Sequence, residues 1–210
     1  MFPPSRSTSG RRRAARATSA ALGVGLLVLG CTKTDDAKTP PPDKSETQGT
    51  TATGGAAFSL PKDPAAAIRS AGLPELSPER SRELAVVHDR AHLDVTINGE
   101  AVLVPSGIGV TPNKNLSPMH TTDDAGIVRI EAEKPDTFTI GQFFTEWGVK
   151  LDKNCLATFC TDDKNQLLGF VNGQLVPDPA SIPITQNSEI VVWYGPKGTN
   201  PKVPATYRFT

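Results

Sequence analysis

The chain is poor in the residue types that most often carry out catalysis. Its 210 residues include three histidines, three cysteines, two methionines, two tryptophans and two tyrosines. It contains no G-x-S-x-G, no H-E-x-x-H and no P-loop, and the glycines of "SGIGV" lack the third glycine of a dinucleotide fingerprint. These absences exclude the motif-bearing forms of serine hydrolases, zinc proteases and nucleotide-binding enzymes. We therefore expect a protein that is not an enzyme.

The chain also lacks net charge, with 22 basic and 22 acidic residues. Five of the basic residues lie in positions 1–30, which hold no acid, so the remainder has 17 basic against 22 acidic residues, or about −5. A mildly acidic surface offers no electrostatic attraction to nucleic acid. The composition therefore predicts no nucleic-acid partner.

The apolar run "AALGVGLLVLG" is too short to span a bilayer, which takes about 20 apolar residues. It follows an arginine-rich start and ends at Cys31, the layout of an export signal over residues 1–30. The residues Val28-Leu29-Gly30-Cys31 resemble the bacterial lipobox. That resemblance implies cleavage before Cys31 and a diacylglycerol on its sulfur. Two acyl chains anchor a protein stably, so the expected partner is a membrane, reached through lipid on Cys31.

Three alternatives concerning this segment stay open. An ordinary signal peptide with a chance cysteine would give a secreted protein instead of a lipid-anchored one. The arginines of "GRRRAAR" are compatible with either Sec or Tat export. The expected location is the extracytoplasmic side of the cell envelope, on the outer membrane of a Gram-negative host or the plasma membrane of a Gram-positive one.

Residues 31–60 are rich in Thr, Pro and Gly and have no apolar periodicity. Such a composition cannot bury enough surface to offset its ordering entropy, so the pattern predicts a disordered tether. Residues 61–83 then favour short helices: Asp63 is a candidate N-cap, Pro64 suits the first helical position, and Gly72 follows the end.

Residues 84–210 show the pattern of one folded domain. "HLDVTINGEAVLVP" and "LLGFVNGQLV" are β-hairpin signals around Asn-Gly turns, and "GIVRIEAE" and "SEIVVWYG" are strand patterns. Between them, "FTIGQFFTEWG" places apolar residues at i, i+3, i+4 and i+7 of one helix, with Thr139 as its cap. This order predicts the α+β class, with a mixed sheet and one main helix on one face. With the ending "IPITQNSEIVVWYG", it resembles the β-grasp (ubiquitin-like) fold.

Cys155 and Cys160 are the two cysteines that remain if Cys31 carries lipid. An even pair in an exported chain favours a disulfide, and the short loop "CLATFC" would make it a local staple. A catalytic dithiol is the alternative, but the spacing is not C-x-x-C.

A narrower resemblance covers "HLDVTINGEAVLVPSGIG", "SPMHTTDDAGIVRIE", "TIGQFFTEWGV" and "VNG". These pieces are similar to a family of bacterial secreted or lipid-anchored proteins of uncharacterised function. In that family the second piece tends to read His-Thr-His-Asp, and the strand after it carries a further histidine. This chain keeps His120 and Asp123 but has Thr122 and Arg129 at the other two positions.

The candidate metal ligands are His88, His92, His120 and Asp123, because imidazole is the commonest protein ligand and a carboxylate can complete a site. His88 and His92 are about 13 Å apart if both lie on one strand, too far to share an ion. The simpler interpretation of Asp123 to Gly126 is a polar turn that starts a strand. Two hypotheses follow: a non-enzymatic binding module for a protein or small ligand, without a cofactor, and a copper- or zinc-binding lipoprotein that uses His120 with His88 or His92.

Overall fold

The computed structural model describes residues 55–84, 86–134 and 136–209. The predicted export signal, Cys31 and most of the tether lie outside these residues. None of the helices in the described part of the chain has the length and apolar character needed to cross a membrane.

The described chain alternates short helices with nine strands. The helices are α1 (Pro64–Ser70), α2 (Pro78–Leu84) and α3 (Ile140–Trp147), with 3₁₀ turns at Gly55–Phe58 and Pro179–Ser181. The strands are β1 (Val87–Ile97), β2 (Glu100–Val102), β3 (Met119–His120), β4 (Ile127–Ala132), β5 (Cys155–Leu156), β6 (Phe159–Cys160), β7 (Asn165–Val171), β8 (Gln174–Val176) and β9 (Glu189–Pro196).

Seven of the strands form one mixed sheet in the order β3-β4-β1-β9-β7-β8, with β2 paired to the far end of β1. β1 and β9 run parallel at its centre, whereas β4 and β7 flank them in antiparallel fashion. Both predicted hairpins are present: Asn98 and Asn172 adopt φ values of 52° and 50°, and the glycine after each also has positive φ. The predicted α+β class with a mixed sheet is therefore confirmed.

α3 forms where the sequence predicts it. Thr139 caps the helix through the N–H of Gln142, the Gln142 side chain accepts from the N–H of Thr139, and Gly148 ends the helix with φ 75°. Phe143, Phe144 and Trp147 are fully buried between the helix and the sheet. The predicted aromatic stripe is therefore core.

The segment before the main domain shares this core. Ile68 of α1 is fully buried, and Phe58, which the sequence places within the tether, is 7 % exposed. The indole N–H of Trp147 donates to the Phe58 carbonyl at 3.1 Å. Phe58 and α1 thus pack on α3 as part of one hydrophobic cluster, whereas α2 packs beside β4.

Cys155 and Cys160 are joined by a disulfide across the two-stranded β5–β6 ribbon. The predicted pairing is therefore present. Because the two cysteines are only 5 positions apart, the bond closes a short loop and stabilises a local bend.

One carboxyl group is buried with the aromatic face of α3. Glu146 is 1 % exposed, and its Oε1 accepts a hydrogen bond from the Ser117 hydroxyl. Its Oε2 has no partner among the described residues and faces the backbone at Gly109. Burial raises the pKa of Glu146 to about 8, against a smaller lowering by the Ser117 hydrogen bond. The carboxyl is therefore neutral at pH 7.

Glu146→Gln should remove the part of the pH dependence of stability that comes from the Glu146 carboxyl. In the folded chain the Glu146 carboxyl keeps its proton up to its pKa of about 8, whereas the unfolded chain loses it near 4.5. Between these values the folded state binds more protons, so the free energy of unfolding should fall by up to about 1.4 kcal/mol per pH unit as pH rises. Urea unfolding across this window measures the slope.

Glu83→Gln is the matched control, because Glu83 is exposed on α2. It should leave the slope of the unmodified chain in place. A slope in Glu146→Gln as steep as that of the unmodified chain would show that the buried carboxyl is not its source.

Candidate metal centre

β1 has two different faces because its side chains alternate across the sheet. The odd-numbered Leu93, Val95 and Ile97 are buried against α3, so the even-numbered residues point to the opposite face. His92 and Asp94 lie on that face. The parallel register places His92 directly beside Glu189, the first residue of β9.

His92 and Glu189 form a buried ion pair. The Nδ1 of His92 lies 3.0 Å from Oε2 and 3.2 Å from Oε1 of Glu189, and the two residues are 9 % and 1 % exposed. Burial lowers the pKa of His92, but the Glu189 hydrogen bond and charge outweigh it, so the pKa is raised above 6.5. The Glu189 carboxylate thus stabilises the protonated form of the imidazole.

The turn before β4 closes over the same imidazole. Asp123 Oδ1 accepts from the N–H of Ala125, which is an Asx turn, and the Ala125 carbonyl accepts a hydrogen bond from His92. Gly126 has φ +71°, and a Cβ there would lie 2.7 Å from the Leu93 carbonyl oxygen and 3.2 Å from Nε2 of His92. Only glycine lets the turn approach this closely, which explains the Gly at this point of the sequence.

Asp94 completes a cluster of three donors. One ligand atom from each of His92, Asp94 and Glu189 lies within 4.8 Å of the others. Asp94 is half-buried and, with His92, lines a cavity of about 440 Å³ between the β1–β2 hairpin and the turn. Glu100 and Asp124 line the same cavity, and no lysine or arginine does. The lining therefore favours a cation.

The C-terminal segment covers one side of the His92–Asp94–Glu189 cluster. The Tyr207 ring stacks on the His92 ring with centroids 3.7 Å apart and planes 9° apart. Further along the sheet, Val203 packs on a small cluster of Phe170, Val191 and Trp193. The site is thus enclosed on one side by Tyr207 and open on the other through Asp94.

Of the residues singled out in the sequence, only His92 belongs to this cluster. His88 is exposed and lies four residues away on the same strand, about 13 Å from His92. His120 pairs with Arg129 of β4, which pairs in turn with Arg90, so it lies two strands from β1, about 10 Å away. The three histidines therefore do not converge on one ion.

His120 has a separate environment. It is 2 % exposed, and its Nδ1 donates to the Ser117 carbonyl at 3.3 Å. Burial lowers the pKa of His120, outweighing the raising effect of the nearby Glu131. The two positions that depart from the family pattern are in contact, because Arg129 Nε donates to Thr122 Oγ1 at 3.0 Å. The four positions compared with that family, His120, Thr122, Asp123 and Arg129, thus lie close together beside the β3–β4 pairing.

Glu189 is the member of the cluster that the sequence does not reveal. Asp94 shares the parity of His92 and so its face, but Glu189 is 97 positions away and enters only through the parallel pairing. A carboxylate opening an otherwise apolar strand, "EIVVWYG", is the one available signal.

Comparisons of the chain with protein-family models, curated proteins and solved structures found no match.

Glu189→Gln should lower the pKa of His92. Without the carboxylate charge, burial becomes the dominant influence, so the imidazole should lose its proton at a lower pH than in the unmodified chain. The ion pair contributes stability that is complete below pH 6.5 and is lost as pH rises through the raised pKa. Titration of the imidazole carbon-bound protons of His92 by NMR measures the pKa in both chains. An unchanged His92 titration would show that Glu189 does not hold the proton.

Proposed function

We propose that this protein is an exported, lipid-anchored binding module that holds a divalent transition-metal ion, zinc or copper, through His92, Asp94 and Glu189. The observation that carries the proposal is the convergence of these three donors within 4.8 Å on neighbouring strands. The proposed ligands are one histidine and two carboxylates, in place of His120 with His88 or His92 as expected from the sequence.

The donor set suits a transition metal better than calcium or magnesium. Imidazole nitrogen is a ligand for zinc and copper, whereas calcium and magnesium prefer oxygen alone. Two ligand atoms about 2.1 Å from an ion are about 3.0 to 3.4 Å apart, from the right angles of a tetragonal copper site to the tetrahedral angles of a zinc site. The 3.0 Å between His92 Nδ1 and Glu189 Oε2 matches that spacing. Asp94 is the third ligand, and solvent in the cavity would supply the rest.

Metal and proton compete for the same nitrogen. In the metal-free chain Nδ1 of His92 carries the proton that bridges to Glu189, and a metal must displace it. Because the pKa of His92 is raised, this competition extends toward neutral pH. Affinity should therefore fall about tenfold per pH unit below that pKa, where each ion bound releases one proton.

The β-grasp assignment is part of the proposal. Its support is the arrangement of the central strands: β1 and β9 are parallel neighbours, β4 and β7 flank them, and α3 connects β4 to the β7 side. β-grasp domains serve many functions, so the fold carries no activity of its own into the proposal.

The lipid anchor rests on the lipobox-like Val28–Cys31 and the arginine-rich segment before it. The Cys155–Cys160 disulfide is compatible with an oxidising compartment. The anchor would hold the metal-binding domain at the outer side of a membrane.

The purified full chain should bind zinc or copper with one ion per chain, and Glu189→Gln and Asp94→Asn should each weaken binding by about tenfold or more. Isothermal titration with zinc chloride and copper sulfate gives affinity and stoichiometry. His88→Ala is the matched control: it removes a histidine from the same face of β1 but outside the cluster, and should bind as the unmodified chain does.

Two outcomes would overturn the metal proposal. One is the absence of zinc and copper binding by the unmodified chain. The other is an equal loss in His88→Ala and in the cluster variants, which would assign binding to a different set of residues.

Cys31→Ala should release the protein from membranes. Without the sulfur no diacylglycerol can be attached, so the chain should move from the membrane pellet to the soluble or secreted fraction. Thr32→Ala, which alters the adjacent residue and keeps Cys31, should stay in the pellet. Membrane retention of Cys31→Ala would contradict the lipid anchor.

A further inference from the structure

Two arginines oppose one another on the same face of the sheet as the metal cluster. Arg90 of β1 and Arg129 of β4 are direct partners in the antiparallel ladder, so their side chains leave the sheet side by side. Both residues are half-buried. Like charges directly opposite on neighbouring strands are destabilising, so folding alone gives no reason for this pair.

No carboxylate forms an ion pair with either arginine within the described residues. The ion pairs found there involve Arg69, Arg80, His92 and Lys150, and neither Arg90 nor Arg129. Two acids border the arginines. The side chain of Asp89 points to the other face of the sheet, because Asp89 is one residue away from Arg90 on β1. Glu131 lies on the same face as the arginines, but its Oε2 accepts a hydrogen bond from the Ser81 hydroxyl at 3.2 Å.

Both guanidinium groups are held at one side and unengaged at the other. Arg129 uses Nε for Thr122 Oγ1, and Arg90 lies 4.8 Å above the centroid of the Phe209 ring. Their terminal nitrogens donate to no acceptor in the described part of the chain. An arginine fixed in this way loses little conformational entropy when it binds a ligand.

The two arginines line a polar cleft of about 340 Å³, together with His88, Asp89, Ile130, Glu131 and Gln186. Gln186 is itself anchored, because its Oε1 accepts from the backbone N–H of Arg90 at 2.7 Å. His92, Asp94 and Glu189 do not line this cleft. It is a second cleft on the same face, and it contains both arginines.

We infer that this cleft binds a phosphate group through the paired guanidiniums of Arg90 and Arg129. The planar fork of an arginine matches two oxygens of a phosphate, and two forks side by side would engage one group from adjacent strands. The bound charge would offset the repulsion between the arginines. The phosphate belongs either to a small free monoester or to a lipid headgroup.

The test compares the full chain with Arg90→Gln and Arg129→Gln for binding of inorganic phosphate and glycerol 3-phosphate by isothermal titration. Each variant should weaken binding by about tenfold or more, since it removes charge-assisted hydrogen bonds. Arg208→Gln is the matched control, because it removes the same charge from the exposed C-terminal segment without lining the cleft. It should bind as the unmodified chain does.

Thermal unfolding gives a second readout that separates binding from folding defects. Phosphate should raise the melting temperature of the unmodified chain more than sodium chloride at equal ionic strength does. Without phosphate, Arg129→Gln should melt at the same temperature or higher, because the like-charge pair is relieved. Arg129→Lys keeps the charge and loses the fork, and should respond to phosphate less than the unmodified chain.

Vesicles distinguish the two sources of the phosphate group. Binding to phosphatidylcholine vesicles that contain phosphatidic acid, lost in Arg129→Gln, would assign a headgroup, whereas binding of glycerol 3-phosphate alone would assign a free monoester. The inference is overturned if neither phosphate source binds, if acetate shifts the melting temperature as much as phosphate, or if Arg208→Gln loses as much binding as the cleft variants.

Discussion

The parallel pairing of β1 with β9 is the constraint on which the rest of the molecule depends. It joins the first strand of the sheet to the last, and every other strand of the sheet is added outward from this pair. It also buries the His92–Glu189 ion pair in the register that brings Nδ1 to 3.0 Å from the carboxylate. Removing one partner of a buried pair leaves an uncompensated charge, so loss of His92 or Glu189 would also destabilise the sheet.

One sheet serves two purposes through the alternation of its side chains. The face toward α3 is filled by apolar residues, whereas the opposite face carries the His92–Asp94–Glu189 cluster, the arginine pair and a small apolar cluster. The C-terminal segment covers part of this second face with Val203, Tyr207 and Phe209. Residues 200–209 make no main-chain hydrogen bond to the rest of the described chain, so side-chain packing alone holds the cover in place.

Local signals predicted the local structure well. The capping box at Thr139, the Asn-Gly turns and the alternation of β4 all depend on residues within a few positions, and each is present. The candidate site was predicted less completely. His92 and the turn at Asp123 were found from the sequence, but the expected partners of His92 were other histidines, because no local signal shows that the start of β9 lies beside His92.

By itself, the sequence determined the elements and the parity of β1, and with parity the fact that His92 and Asp94 share a face. Only the tertiary structure decided which residue stands beside them. Glu189 reaches His92 because β9 enters the sheet parallel to β1 in one register, and Tyr207 stacks on the ring because the C-terminal segment folds back. Strand order and register are set by packing of the whole core, whereas turn and capping signals act over a few residues.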